Sequence, residues 1–366
     1  MGVLVISCGL ASLLGFAAQR ASICNVRAVA EVISSGSAYM LASIGKTVLW
    51  VIAVTMPFFW LMPSASGNLE AWSLSWLSVA GGLVFGIGAA VNGACAISTM
   101  SRLADGQLSM LATLLGFVCG GVSGAVLMQA TRLSPPSPER TMFGLQIAWT
   151  TAIIIALFLW ALREITRWWR TRSAGARLHE LVLARRYRLS TAAMLIGLAN
   201  GLLFLAYGRW GSTGMLQESV EALIGNGNWP AIERWTLGAA MLAGMVLSTW
   251  QRKSFRLEWQ PRLHWLRNAF GGLLMGLGAA FVPGGNDTLV LFGIPSLSPN
   301  ALPVYAAMTV GVAMSLLLMR VWLRLELRVE CRGDVCITDT RSGEIKLATS
   351  GRSSLPRAVG NPELAD

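Results

Sequence analysis

Long apolar runs recur along most of this chain, and several of them contain no charged residue. Thr151–Ala161 and Tyr305–Met319 are two examples. About 20 mostly apolar residues in a helix are enough to cross a bilayer core of about 30 Å. The pattern therefore predicts an all-α integral membrane protein with about nine transmembrane helices. The predicted crossings are 3–19, 39–61, 76–93, 109–130, 141–162, 190–207, 231–250, 266–282 and 301–322.

Composition agrees with this interpretation. Hydrophobic residues make up 54% of the 366 residues and charged residues only 13%, and the mean hydropathy is +0.57. Soluble domains have about 25% charged residues. The chain has too little polar surface to cover a water-soluble globule of this size, so a soluble protein is excluded.

The net charge of +11 comes mainly from arginines near the ends of the predicted crossings. They crowd the linkers 163–188 and 252–267 and the stretch 320–332 that follows the last apolar run. Basic residues in short loops mark the cytoplasmic side of a membrane. All three clusters then fall on one side, with the N-terminus outside and the C-terminus cytoplasmic. We therefore expect a multi-pass protein of the cell inner membrane with the lipid bilayer as its surroundings, and no nucleic-acid partner.

The two halves of the chain resemble each other. Gly81–Ala90 matches Gly271–Ala280 at most positions, and Gly9–Ala11 aligns with Gly197–Ala199. Glycine repetition alone also arises from close packing of membrane helices, but both motifs recur at equivalent places. Two inverted repeats of the kind found in transporters are therefore predicted. The predicted parts are a first repeat at 1–130, a linking helix and basic cytoplasmic loop at 131–189, a second repeat at 190–323 and a partly disordered cytoplasmic tail at 324–366.

Four segments of small and polar residues follow short crossings at equivalent positions in the two halves. They are Gln19–Gly36, Gly93–Gln107, Gly208–Gly225 and Pro283–Asn300. We interpret them as short re-entrant half-helices, because broken backbone at membrane depth persists only where protein or water satisfies it. The N-terminal ends of such helices favour an anion.

The register of the repeat places Cys24 opposite Ser212 and Cys95 opposite Gly285. A neutral thiol is a weak donor, and weak donors in series let a passing anion leave again. The alternative is that both cysteines are only small packing residues. Charged residues flanking these segments, Arg20 among them, belong either to the pathway or to the membrane interface. The predicted pathway residues are Cys24, Cys95, Ser212, Gly285, Asn286, Gly93 and Arg20.

The segments Gln19–Ala28 and Phe85–Cys95 resemble the signature segments of the YeeE/YedE family of sulfur transporters, and Gly276–Asn286 is similar to the family's second such segment. The resemblance extends to about Arg320. It implies thiosulfate uptake across the inner membrane through a helical inverted repeat with short inward helices, and central cysteines that relay the ion. By motif position, that role falls on Cys24 and Cys95.

The sequence departs from the family at Gly285, where the family carries a cysteine after two glycines. One relay donor is therefore absent, and Asn286 is the replacement donor offered by the sequence. The substrate class consequently stays open among thiosulfate, a related oxyanion, a sulfide-like species and a selenium compound.

No pattern for enzyme chemistry, a metal or a cofactor is visible. His179 and His264 lie in basic loops, and there is no phosphate-binding loop, zinc spacing or nucleophile elbow. Residues 326–347 alternate in polarity and predict a hairpin. Its Cys331 and Cys336 are expected to be a reduced pair, with metal binding or sulfur exchange as alternatives. We expect an inner-membrane transporter that takes up a small sulfur-containing anion. The alternative is a membrane scaffold that passes sulfur or selenium species to a cytosolic sulfur-carrier protein.

Overall fold

A computed structural model of the chain describes its membrane part almost completely. The described residues are 2–62, 70–132, 138–140, 150–171, 184, 186–225, 227–282, 284–322, 325–326, 329–332, 334–337 and 346–347. The start of the predicted crossing at 141–162, most of the basic linker and the predicted disordered end of the tail lie outside these residues.

Helices dominate the described residues, and three short antiparallel strand pairs accompany them. The helices are α1 (Gly2–Ala21), α2 (Asn25–Ser35), α3 (Tyr39–Leu61), α4 (Trp76–Asn92), α5 (Ala96–Ala104), α6 (Met110–Thr131), α7 (Thr150–Thr171), α8 (Leu189–Tyr207), α9 (Ser212–Leu223), α10 (Ile232–Gln251), α11 (Arg262–Phe281), α12 (Asn286–Thr288) and α13 (Ala301–Trp322). The strand pairs are β1 (Glu70–Trp72) with β2 (Pro138–Arg140), β3 (Leu325–Glu326) with β6 (Lys346–Leu347), and β4 (Glu330–Arg332) with β5 (Val335–Ile337).

Within the described residues, six helical segments are long and apolar enough to cross a membrane, or seven if the bent pair of α11 with α12 and the turn after it counts as one span. The protein is therefore a multi-pass membrane protein. Helices α7 and α10 have 22 and 20 residues but are not among these segments. Helix α7 carries four charged residues near one end, so its apolar stretch is shorter than its length. The predicted count of nine crossings is not reached on apolar length alone.

Breaks interrupt three of these segments, at places where the sequence predicted half-helices. Helices α1 and α2 count together as one segment of 34 residues, and α4 and α5 as one of 29. The first two breaks therefore lie within long segments. The third, between α11 and α12, bends the chain by 50°, and α12 continues as a π-helical turn, Leu289–Gly293.

Helix contacts follow a regular pattern. Helix α11 packs on α4 and α6, α4 also packs on α13, and α1 packs on α8 and α10. Glycines permit the closest of these approaches. A Cβ on Gly86 of α4 would lie 2.1 Å from the carbonyl oxygen of Met308, and one on Gly276 of α11 would lie 2.0 Å from that of Phe117. These helices therefore meet backbone to backbone, as membrane helices rich in small residues do.

Contacts between loops bring the basic segments to one end of the bundle. The Arg20 guanidinium at the end of α1 donates to the carbonyl of Ala184, which precedes α8, and to Oε1 of Gln251, which ends α10. The loop after α5 pairs with the loop after α10, where Glu258 N donates to the Gly106 carbonyl at 3.0 Å. We call this the basic end of the molecule.

The start of the tail lies against this end. Ser34 Oγ of α2 donates to the Val329 carbonyl at 3.3 Å, while Asp334 Oδ1 accepts from the backbone N and the Oγ of Ser190, both at 2.9 Å. Strands β4 and β5 form the predicted hairpin. The expectation of a reduced cysteine pair differs from the structure, where Cys331 and Cys336 form a disulfide because the hairpin register places them directly opposite each other.

Candidate functional site

Cys24 and Cys95 each occupy the position just before a short helix. Cys24 precedes α2 in the break after α1, and Cys95 precedes α5 in the break after α4. Neither thiol caps a backbone N–H in the first turn of its own helix. Two helix N-termini, each equivalent to roughly half a positive charge, therefore point their free N–H groups toward the same region.

The structure brings these two cysteines into contact. The backbone N of Cys95 donates to Cys24 Sγ at 3.5 Å, and Cys95 Sγ donates to Ser98 Oγ at 3.5 Å. Cys24 is 1% exposed and Cys95 2%, and both are free thiols. The result is a buried pair of soft donors, which we call the thiol pair.

Positive charge flanks the thiol pair. The guanidinium groups of Arg27 and Arg102 both interact electrostatically with Cys24. Arg102 is fixed in place because its Nη2 donates to the Gly93 carbonyl at 2.8 Å. Gly93 ends α4 with φ 73°, a left-handed conformation that glycine adopts readily and most other residues do not. Thus the predicted pathway residue Gly93 holds an arginine beside the cysteines.

The second half has a hydroxyl and carboxylate cluster at the equivalent break. Asp287 Oδ2 accepts from Ser212 Oγ at 2.7 Å and from the backbone N of Thr213 at 3.2 Å. The Thr213 hydroxyl also bonds Asp287 Oδ1 and lies 3.1 Å from Thr288 Oγ1. All four residues are buried. We call them the Asp287 cluster.

Gly285 belongs to this cluster through its backbone. Its N donates to Thr213 Oγ1 at 2.9 Å. A Cβ built on Gly285 would lie 2.7 Å from Thr213 Cγ2, 2.9 Å from Thr213 Cβ and 2.9 Å from Oγ1. The φ angle of −99° suits any residue, so space rather than conformation limits position 285. Thr213 occupies the room that the family's cysteine would need.

Two small cavities lie next to the cluster. The first, the Trp72 cavity, has a volume of about 10 Å³ and is lined by Trp72, Arg209, Thr288, Phe292, Ser298 and Asn300 among others. The second, the Thr99 cavity, has about 20 Å³ and is lined by Thr99, Thr113, Ser212, Thr213 and Leu216 among others. Ala96, the residue that follows Cys95, also lines the Thr99 cavity, so this cavity lies between the Asp287 cluster and the start of α5. Each volume suffices for about one water molecule.

The other predicted pathway residues take different places. Asn286 is 7% exposed, and its Oδ1 has no hydrogen-bond partner among the described residues. Arg20 lies away from the cysteines. It is 2% exposed and bonds Ser248, Gln251 and the Ala184 carbonyl at the basic end. Its guanidinium carbon also lies 4.3 Å from the centre of the Phe16 ring. These contacts are those of a residue that ties helix ends together.

Sequence reasoning missed several contributors to the site. Thr213 carried no signal of its own, because only the fold shows that it fills the space beside Gly285. Tyr305 lies on a different helix, yet its hydroxyl donates to Asn25 Oδ1 at 3.0 Å, next to Cys24. The signal for Asp287 was present, since a carboxylate inside an apolar segment is unusual, but its hydroxyl partners come from residues about 75 positions away.

One group of potential metal ligands occurs among the described residues, formed by Glu31, Cys331 and Cys336. The two cysteines are joined in the disulfide, whereas a metal requires thiolates. The Glu31 carboxylate is already engaged by the backbone N of Tyr39 and Met40 and by the Ser37 hydroxyl. In this form the group is not suited to hold a metal.

Comparison with known proteins identifies the family of this chain. The Sulphur transport family model matches residues 20–314, which include both breaks of the thiol pair and the Asp287 cluster. The thiosulfate transporter TsuA of Spirochaeta thermophila is 25% identical over 318 residues, which cover 78% of this chain and 90% of that protein. The resemblance to the YeeE/YedE sulfur transporters is thereby confirmed. On the extent of the family match, this chain belongs to the Sulphur transport family.

Proposed function

We propose that this protein takes up a small sulfur-containing anion, thiosulfate or a related ion, across the inner membrane. The observation that carries the proposal is the thiol pair. Cys24 and Cys95 come from separate helix breaks, yet they are in contact inside the protein, where the charges of Arg27 and Arg102 act on Cys24. The name of the Spirochaeta relative, a thiosulfate transporter, supports this substrate class.

The groups around the thiol pair suit a site that binds an anion briefly and then releases it. Two arginines and two helix N-termini supply positive potential, which lowers the cost of an anion in a low-dielectric interior. The groups nearest the ion are weak S–H and O–H donors rather than a guanidinium fork, which would bind bidentately and release slowly. Cys24, Cys95 and Ser98 would contact the ion in turn, while Arg27 and Arg102 would attract it without clamping it.

Helix contacts support an inverted repeat as the frame for this path. Each of these contacts joins one helix from each half: α1 packs on α10 and α4 on α13, and exchanging the two halves gives the contacts of α8 with α3 and of α11 with α6. Gly86 and Gly276, equivalent in the sequence repeat, meet carbonyls of α13 and α6, which are themselves equivalent. The grouping of the basic loops at one end supports our orientation, with nine crossings, that end in the cytoplasm and the N-terminus outside. We retain the domain limits 1–130, 131–189, 190–323 and 324–366.

The test is uptake of radiolabelled thiosulfate by proteoliposomes. A hydrogen bond to a charged partner contributes about 1.5–3 kcal/mol, so Cys95→Ala and Cys24→Ala are each expected to lower the initial rate by roughly 10- to 100-fold. The matched control is Cys119→Ala, because Cys119 is exposed on α6, and its rate should equal that of the wild type. Wild-type rates in both cysteine variants would reject the thiol path. Saturable uptake of a different anion with the same cysteine dependence would change only the substrate.

The second function is a scaffold that passes sulfur or selenium species to a cytosolic sulfur-carrier protein. The observation that favours it is the Cys331–Cys336 hairpin, which lies against the end of α2, the helix that Cys24 begins. If proteoliposomes take up no anion while purified protein binds a sulfur-carrier protein through the tail, this second function replaces the first.

A further inference from the structure

Uptake of an anion against the membrane potential requires a source of energy. A membrane potential of about 100 mV, negative inside, opposes the accumulation of an ion with two negative charges by roughly 2,000-fold. Each proton that enters with the ion lowers this opposing factor by about 50-fold. An importer of such ions therefore benefits from a site that binds a cation, and this argument rests on the proposed function.

Asp287 has the properties of such a site. It is a carboxylate 3% exposed within a membrane protein, and two hydroxyls and a backbone N–H among the described residues donate hydrogen bonds to it. No lysine, arginine or histidine among the described residues forms an ion pair with it. Ionisable side chains at such positions are costly and usually serve function.

A chain of hydroxyls connects Asp287 with both cavities. Thr288, which lines the Trp72 cavity, lies 3.1 Å from the Thr213 hydroxyl, and that hydroxyl bonds Asp287 Oδ1. On the other side, Ser212 lines the Thr99 cavity and donates to Asp287 Oδ2. Asp287 thus lies between the Trp72 cavity and the Thr99 cavity, which reaches the start of α5 next to Cys95.

We propose that Asp287 is a proton-binding site that couples anion uptake to proton entry, with one proton for each anion. When ionised, the carboxylate repels an anion that passes between the two cavities. When protonated, it does not, so the anion crosses only after a proton has bound. Two observations favour a proton over a metal cation. Hydroxyl and backbone N–H donors already occupy both oxygens of the Asp287 carboxylate. The neighbouring cavities hold only about one water molecule each.

The proton transfer needs no further reactant. A proton that arrives at Thr288 Oγ1 displaces that hydroxyl's own proton to Thr213, and the Thr213 proton moves to Asp287 Oδ1. The protonated carboxyl then rotates so that its O–H faces Ser212, and the Ser212 hydroxyl turns toward the Thr99 cavity, releases its own proton there and accepts the carboxyl proton. One proton enters and one leaves, and no bond between heavy atoms changes.

Other titratable and charged groups near the cluster have their own environments. Glu218 pairs with Arg234, Glu221 is exposed on α9, and the Arg102 guanidinium bonds the Gly93 carbonyl. Arg209 lies 5.5 Å from the centre of the Trp72 ring in the first cavity. The groups on the elements packed against α12 are Glu218 and Glu221 on α9, Arg102 on α5, Cys95 at its start, and Arg209 before α9.

The experiment uses radiolabelled thiosulfate and purified protein in proteoliposomes. Counterflow, with unlabelled thiosulfate inside and no gradients, first measures transport without a driving force. The membrane potential is then held at zero while the outside is made more acidic. For one proton per ion, the steady-state accumulation by the wild type should rise tenfold for each pH unit. Asp287→Asn mimics the protonated carboxyl, so it should still exchange thiosulfate but lose all dependence of accumulation on the pH gradient. The matched control is Glu221→Gln on α9, which should retain the tenfold response.

Three results would overturn the inference. Wild-type counterflow without any response to the pH gradient rejects proton coupling and leaves the proposed function intact. A tenfold response retained in Asp287→Asn rejects this residue as the site. Absence of counterflow in the wild type rejects the transport function and the inference with it. If Asp287→Asn does not fold, Thr288→Val replaces it. This change should slow uptake driven by the pH gradient, and Thr288→Ser should restore it; equal rates in both would reject the hydroxyl chain.

Discussion

Placing a cysteine at position 285 tests how this chain differs from its family. Gly285→Cys restores the family's cysteine, but its Cβ would lie 2.7–2.9 Å from three atoms of the Thr213 side chain. Ordinary van der Waals contact begins near 3.4 Å. The overlap is therefore about 0.5–0.7 Å on each of three contacts, and Thr213 cannot turn away easily because its hydroxyl bonds both Asp287 and the backbone N of Gly285.

Overpacking of this kind costs about 1–3 kcal/mol of the free energy of unfolding. Thr213→Ala removes two of the three overlapping atoms, so Gly285→Cys should cost less in that background than in the wild type. We expect a favourable coupling energy of about 1 kcal/mol between the two substitutions, within the range measured for residues in contact. A double-mutant cycle of these two substitutions also subtracts the free energy of the hydrogen bonds that Thr213→Ala loses by itself.

The assay is thermal unfolding of the purified protein in detergent, with the four variants of the cycle measured together. Gly214→Cys is the matched control, because its Cβ would have Thr288 Oγ1 as its nearest neighbour at 3.8 Å. That variant should unfold near the wild-type temperature. Equal stability of Gly285→Cys and the wild type, or a coupling energy of zero, would refute the argument that Thr213 fills the place of the cysteine.

Three further predictions concern the frame around the site. Gly86→Ala should lower the unfolding temperature by several degrees, because the new Cβ would lie 2.1 Å from the Met308 carbonyl oxygen, whereas Gly45→Ala has no atom within 4 Å and should not; equal melting of the two would contradict the packing. Arg20→Met should cost about 2–4 kcal/mol of stability through its orphaned partners, and a lowered affinity for thiosulfate in folded protein would instead place Arg20 on the path. Burial raises the pKa of Asp105 above its usual value of 3.8. Protonation of Asp105 therefore contributes stability that is fully present below about pH 3.8 and is lost as the pH rises through the raised pKa. In thermal unfolding measured at several pH values, Asp105→Asn should reduce this pH dependence.

The sequence predicted those features that depend on local composition. Apolar length and glycine spacing sufficed for the helices and their breaks, and the small residues around Cys24 and Cys95 indicated where two breaks would fall. The repeat register then placed Ser212 and Gly285 at equivalent breaks. In each case the signal lies in one continuous stretch of sequence or in two stretches that match each other residue by residue.

Features that depend on contacts between distant segments were not predictable in this way. Arg20 was interpreted as a possible pathway residue because it adjoins Cys24, but its bonds go to Gln251 and Ala184, which the fold brings to the same end. The hydroxyl partners of Asp287 were likewise not predictable, because Ser212 and Thr213 lie about 75 positions away along the chain. From the sequence alone, Gly285 indicates only that the family's cysteine is absent. The structure adds that the Thr213 side chain fills the space this cysteine would need.

The start of the tail holds two separate helices at the basic end. Through Val329 it binds the end of α2, and through Asp334 it binds the start of α8. One hydrogen bond joins the hairpin to α2, whereas three join Asp334 to α8, because the backbone N of Leu189 also donates to the Asp334 carbonyl at 2.8 Å. At about 0.5–1.5 kcal/mol for each bond, the link to α2 is the weaker one, so a movement that separates the two helices there would release the hairpin from α2 first and leave it on α8.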